Sequence, residues 1–90
     1  MRFHVYTIEW DHEAVKALKS IKDEKLKEHI FDALMNVIAH NPLAGKSLDG
    51  SLQGVRSYRI GVIRILYQVY KNKLIVVVLN IAHRKDIYRR

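Results

Sequence analysis

The chain of 90 residues has no cysteine, one proline and four glycines. Without thiols there is no disulfide, no thiolate zinc site and no cysteine nucleophile, which fits a reducing compartment. The longest uncharged apolar run, Leu74 to Leu79, is far too short to span a bilayer. Arg2, His4 and Glu9 break up the first ten residues, so they do not read as a signal peptide. A cytoplasmic location with no membrane partner is expected. The length predicts a single domain, residues 1–90, whose small core must be held by packing and secondary structure alone.

Acidic residues are scarce in one half of the chain. From Met1 to Gly54 there are seven Lys or Arg and eight Asp or Glu, a balance of −1. From Val55 to Arg90 there are nine and one, Asp86 being the single acid, a balance of +8 that carries all of the +7 net charge. A half this basic is the electrostatic footprint of a protein that meets a polyanion, since each neutralised phosphate releases counterions, the alternative being a solvated basic surface kept for solubility.

Other chemistries lack their residues. His4, His12, His29, His40 and His83 show no metal-ligand spacing, so neither a metal nor another cofactor is expected. Gly45, Gly50 and Gly54 do not form a phosphate-cradling loop before a helix, and no nucleophile elbow is present. Glu24, Glu28 and Asp32 form an acidic helical ridge of the kind that faces solvent.

The order of elements is legible from periodicity. Arg2 to Ile8 reads as a strand. Asp11 is placed to cap a short helix carrying Ala14, Val15, Leu18 and Ile21 at helical spacing. Ser20 to Asp23 matches a helix-start signal, and Leu26, Ile30, Ala33, Leu34, Val37 and Ile38 then keep one apolar stripe until Asn41-Pro42. Residues 41–54 read as a loop or a pair of turns of unusual length. Val55 to Ile60, Val62 to Tyr70 and Lys73 to Ala82 read as strands, the last two joined by a tight turn at Lys71-Asn72. The fold class is α+β: a helical hairpin on a small, mostly antiparallel sheet in the order β-α-α-β-β-β. The last strand is apolar on both faces, with Leu74, Val76 and Val78 on one and Ile75, Val77, Leu79 and Ile81 on the other, so part of the sheet away from the helices is expected to be covered as well, by the C-terminal segment folding back or by a partner chain.

The residues best suited to chemistry are arginines on these strands. Gly61 permits a tight reversal that brings Arg59 and Arg64 to one surface, and Arg84 follows the final strand toward the same end. Guanidinium groups bind phosphate oxygens bidentately and stabilise the extra charge of a phosphorane-like transition state. Tyr88 adds a proton donor or stacking platform, and His83 an acid/base or stacking group. Arg56, Lys46, Lys85, Arg89 and Arg90 are the other cations of the set, candidates to contact a polyanion. Cross-strand ion pairing is the alternative use of Arg59 and Arg64, with Asp86 as the sole acid nearby in sequence.

The pattern Arg59-x-Gly-x-x-Arg64-x-x-Tyr67, the Leu48 to Gly54 stretch before it and the ending His83-Arg84-Lys85-Asp86-Ile87-Tyr88 resemble the RelE/ParE toxin superfamily, and within it the archaeal RelE-type mRNA interferases. The resemblance spans nearly the whole chain. It implies a RelE-like microbial RNase fold and the toxin of a type II toxin-antitoxin system, a ribosome-dependent endoribonuclease that cleaves mRNA in the A site and so inhibits translation. It implies metal-independent attack by the 2′-hydroxyl on the adjacent phosphate, no cofactor, and an acidic RelB-like antitoxin that wraps the toxin. Carried over by position, Arg64, Arg84 and Tyr88 are the implied catalytic residues, with Arg59 at the preceding basic position. Some relatives carry two lysines in the strand before the turn where this chain has Ser57 and Arg59, which removes one basic group from proton transfer. The same superfamily contains ParE-type gyrase poisons, which act by protein contact without cleaving RNA.

Overall fold

A computed structural model describes residues 4–83. Strand β1 (Thr7–Trp10) leads into helices α1 (His12–Ser20) and α2 (Glu24–Asp32), and strands β2 (Lys46–Ser47), β3 (Arg56–Ile60), β4 (Ile63–Tyr70) and β5 (Ile75–His83) follow. The sheet has five strands in the order β1-β5-β4-β3-β2, with β1 parallel to β5 and every other pair antiparallel. The α+β class and the β-α-α-β-β-β order are as expected, with β2 added.

Several local expectations need correction. Among the described residues the first strand begins at Thr7 and includes Trp10, which stacks at a tilt on Phe31 with ring centres 5.8 Å apart. Asp11 occupies the cap position of α1, yet its side chain caps nothing. Helix α2 is capped by Asp23, whose carboxylate accepts from the backbone N–H groups of Lys25 and Leu26. Ser20, expected to start that helix, instead ends α1 and donates its hydroxyl to the Ala17 carbonyl. A short serine side chain is satisfied within its own helix turn, whereas Asp23 meets the free N–H groups of the next helix. From Ala33 to Ile38 the helix widens into π geometry, closed by a 2.8 Å bond from Ala39 N–H to the Leu34 carbonyl.

Packing follows alternation. Ile63, Ile65 and Tyr67 of β4 join Val76, Val78 and Ile81 of β5 under Ala14, Ile30, Leu34 and Ile38 from the helical layer. The apolar stripe read for α2 is the one that faces this core. On β5, Ile81 changes sides relative to simple alternation. Tyr67 pairs with Val78 but its neighbour Leu66 pairs with Asn80, so Leu79 is an extra residue that shifts the pleat by one and turns Ile81 into the core. On the other face Ile75, Val77 and Ala82 are half-buried, consistent with β5 lying inside the sheet between β1 and β4. The β4–β5 connection is four residues, Lys71 to Leu74, rather than a two-residue turn, and Leu74 adopts a left-handed φ of 55°.

The segment from Asn41 to Gly54 takes the paired-turn form, with a short strand added. It holds two short 3₁₀ turns, Pro42–Ala44 and Gly50–Leu52, with β2 between them. One side chain ties it to the core. The Tyr67 hydroxyl, fully buried, donates to the Pro42 carbonyl at 2.7 Å and accepts from Gly45 N–H at 2.8 Å. Gly45 sits so close that an added Cβ would lie 2.5 Å from this hydroxyl and 3.0 Å from the Ser57 carbonyl oxygen. Arg56 closes the same corner with a 2.7 Å bond from Nη1 to the Gly45 carbonyl. Together these contacts set the position of β2 and of Lys46 on the sheet edge.

Two stability predictions follow from this corner. Tyr67→Phe leaves one buried acceptor and one buried donor unpaired and is expected to cost about 1–3 kcal/mol in chemical denaturation, while Gly45→Ala, which must push the ring or the backbone aside, is expected to cost about 1–3 kcal/mol. Burial raises the Tyr67 phenol above its ordinary 10.0, its hydrogen bond from Gly45 opposing the shift. The stability tied to the neutral phenol is therefore fully present below the unfolded value and is lost as pH rises through and beyond it. Denaturation midpoints measured from neutral pH into that range should fall more steeply for the wild type than for Tyr67→Phe.

Candidate functional site

Direct partners across a sheet share a face, so register decides which cations meet. Arg59 pairs with Arg64 across β3 and β4, Arg64 pairs with Ala82, Ser57 with Leu66, and Lys46 with Ser57. Lys46, Ser57, Arg59 and Arg64 thus stand on the face away from the helices. The hairpin that joins β3 to β4 makes this possible: Ile60 pairs with Ile63, leaving Gly61 and Val62 as its two loop residues, and Gly61 has a φ of +59°. A positive φ at the first loop position suits a II′ turn, whose twist matches that of the strands.

Two arginines directly opposite one another repel, and like charges in that position ordinarily destabilise a sheet. Here each is held by neutral groups. Arg59 Nε donates to the Gly61 carbonyl at 3.1 Å, and Arg64 Nη1 donates to the Ser57 hydroxyl at 3.2 Å. Arg64 lies over Ser57, which is only 2% exposed. The Arg64 Nε is itself buried and has no hydrogen-bond partner among the described residues. Among the described residues no carboxylate pairs with either arginine, and the ion pair found there is the helical one between Lys27 and Glu24 at 3.8 Å. Cross-strand ion pairing therefore does not account for the two arginines within the described residues. The result is a pair of guanidinium groups side by side on the face of the sheet away from the helices, an arrangement whose N–H groups suit an anion with several acceptor oxygens.

The other expected cations divide. Arg56 pairs with Tyr67 and so lies on the helix side, where it holds the Gly45 carbonyl. His83 pairs with Ile63 at the end of β5, which puts it beside the Gly61 hairpin but by register on the Ile63 face. Arg84, Lys85, Tyr88, Arg89 and Arg90 lie outside the described residues. The last described pair, Ile63 with His83, ends β5 at the hairpin that carries Arg59 and Arg64.

Sequence reasoning missed Tyr67 as the anchor of the 42–45 corner and Ser57 as the partner of Arg64. The signal for Tyr67 was present: it shares the parity of Ile63 and Ile65, so its ring belonged in the core, and a buried hydroxyl needs polar partners. Nothing in the sequence names Pro42 and Gly45 as those partners. Among the described residues no cluster of three His, Asp or Glu is placed to hold a metal ion, and no helix is long and apolar enough to cross a membrane.

Comparison with known proteins gives one consistent answer. A family model described as the ParE toxin of the type II toxin-antitoxin system parDE matches residues 8–88. Toxin RelG of Mycobacterium tuberculosis is 43% identical over 54 residues, which is 59% of this chain and 62% of that protein, so the match spans less than two thirds of the relative's length. A chain of the toxin-antitoxin complex RelBE2 from Mycobacterium tuberculosis superposes with a TM-score of 0.84 at 26% identity, covering 92% of this chain and 95% of that one. A chain of the archaeal RelE-RelB complex from Pyrococcus horikoshii OT3 superposes with a TM-score of 0.73 at 19% identity, over 89% and 96% of the two chains, and that likeness speaks for the fold alone. The superfamily read from the two C-terminal arginine patterns is the one these matches give: the chain belongs to the ParE toxin family of type II toxin-antitoxin systems, within the RelE/ParE toxin superfamily.

Proposed function

We propose that this toxin is a ribosome-dependent endoribonuclease that cleaves mRNA in the A site and so inhibits translation. The observation that carries the reading is the Arg59–Arg64 pair, in which two like charges face each other with no carboxylate partner among the described residues. A phosphodiester in that position would accept from both side chains. In the step itself the 2′-hydroxyl oxygen forms a bond to the adjacent phosphorus and the bond from phosphorus to the 5′-oxygen breaks. One proton leaves the 2′-oxygen and one reaches the departing 5′-oxygen. Arg64 stabilises the charge that builds on the phosphoryl oxygens, and Arg59 and Lys46 orient the strand. Arg84 joins Arg64 in this role, Tyr88 supplies the proton or stacks on a base, and His83, Lys85, Arg89 and Arg90 hold flanking RNA. Arg56 supports the site by fixing the corner that carries β2. No metal ion takes part.

The toxin is neutralised in this reading by an acidic RelB-like antitoxin. Support comes from the charge balance of +8 over residues 55–90 and from structural neighbours that are themselves toxin-antitoxin complexes. An acidic chain matches the cationic face, and complementarity of this kind speeds association and selects the partner.

A second reading is favoured by the family match, which names the ParE toxin. On that reading the chain poisons a topoisomerase by protein contact and leaves RNA intact. One experiment separates them. In a translation extract programmed with a defined mRNA, 3′-end mapping should reveal new ends within ribosome-occupied codons. Single-turnover cleavage by Arg64→Ala should fall about 10²-fold or more, as when a transition-state hydrogen-bond donor is removed. Intact mRNA together with stabilised gyrase–DNA complexes would instead select the topoisomerase reading, and an unchanged cleavage rate for Arg64→Ala would remove that residue from the chemistry.

A further inference from the structure

The helix-free face has a second end. Along β4 its side chains run from Arg64 through Leu66 and Gln68 to Tyr70, six residues or about 20 Å away at the rise of an extended strand. There a cavity of about 280 Å³ is lined by Glu9, Tyr70, Lys73, Ile75 and Val77. Register places these groups together: Tyr70 pairs with Ile75, Gln68 and Glu9 each pair with Val77, and Thr7 pairs with Ile75. A neighbouring hollow of about 410 Å³ lies over the β4–β5 turn, between Tyr70 and Lys71 to Lys73. Tyr70 is 45% exposed, and its hydroxyl donates to Gln68 Oε1 at 3.1 Å, which ties the phenol to the sheet surface. The Arg59–Arg64 site uses none of these residues.

The chemistry of this hollow is particular. Its floor is apolar, an open aromatic ring stands at its edge, Lys73 lines it while Lys71 lines the neighbouring hollow over the turn, and one carboxylate sits on β1. A ring beside cations is the arrangement that binds single-stranded nucleic acid, because every base has a face to stack and every phosphate a charge to meet. The carboxylate adds selectivity, since an ionised Glu can only accept hydrogen bonds and so distinguishes a base that bears an amino group from one that does not. The volume sits at the lower edge of small-molecule sites, suited to one planar ring rather than a larger ligand.

We propose that this cavity is a base-binding subsite for single-stranded RNA. Tyr70 stacks one base, Glu9 accepts from its exocyclic amine, and Lys71 and Lys73 hold the flanking phosphates. The inference rests on the reading of this toxin as an RNA-binding enzyme and extends it: the strand bound at Arg59 and Arg64 continues along β4, and a base several nucleotides from the scissile phosphate is read at Tyr70. Cytosine, whose amino group Glu9 can accept from, is favoured there over uracil.

The test uses short 2′-O-methyl oligocytidylate and oligouridylate, which lack the attacking hydroxyl, so affinity is read whether or not the chain cleaves RNA. The full chain should bind oligocytidylate more tightly in fluorescence anisotropy. Tyr70→Ala should weaken both oligomers about tenfold. Glu9→Gln should abolish the preference while leaving oligouridylate affinity in place, and joint Lys71→Ala and Lys73→Ala should weaken both and flatten the salt dependence. Equal affinities for the two oligomers in the wild type would overturn the proposal. So would unchanged RNA binding by Tyr70→Ala, including the case where that variant loses an acidic protein partner instead. Failure of cleavage in the translation extract with these affinities intact would count against the enzymatic reading alone.

Discussion

Strict alternation along β4 is the constraint on which both halves of this molecule depend. Ile63, Ile65 and Tyr67 point under the helices and form much of the core, so Arg64, Leu66, Gln68 and Tyr70 must point the other way. The strand cannot slip by one residue without burying an arginine and exposing a tyrosine, and either cost is far larger than any gain at the surface. Core packing therefore fixes the orientation of the cationic face. The Gly61 hairpin then adds Arg59 to it by pairing β3 in register, and Tyr67 reaches from the core to hold the corner from which β2 delivers Lys46.

The cationic end illustrates how a stable fold tolerates an unfavourable contact. Facing guanidinium groups repel, and Arg64 keeps a buried Nε without an acceptor among the described residues. Ser57 and the Gly61 carbonyl offset part of this by accepting one hydrogen bond each, and the dense pairing of β3, β4 and β5 carries the remainder. Residual positive potential on a rigid sheet is what a phosphate-binding surface requires, because donors held in place need not reorganise when charge arrives. The same potential makes an acidic partner a natural means of silencing it.

Much of the fold was legible in the chain. The apolar stripe from Leu26 in α2 to Ile38 in the π turn faces the core, the parity of residues 63 to 69 matches the observed core face, and the reversal at Gly61 does bring Arg59 beside Arg64. The failures have local physical causes. Ser20 and Asp23 both belong to a helix-start pattern, and only the position of the free N–H groups selects Asp23. Simple alternation puts Ile81 on the face of Ile75 and Val77, whereas one extra residue at Leu79 reverses the pleat. Residues 41–54 look like a loop or a pair of turns because Pro42, Gly45 and Gly50 dominate them, yet two residues pair with β3 once Tyr67 and Arg56 hold the corner.

Charge segregation, the element order and the identity of the arginines able to bind phosphate were determined by the sequence itself, because each follows from residue type and spacing. Which of those cations share a surface was decided only by tertiary structure. Arg56 and Arg59 are three residues apart in one strand, yet register sends Arg56 to the helix side and Arg59 to the open face beside Arg64. The gathering of Glu9, Tyr70 and Lys73 around one hollow was likewise invisible in the chain, since it depends on β1 lying parallel to β5 and on where the β4–β5 turn falls. Alternation can be read along a strand, but the partner across the sheet is chosen by packing.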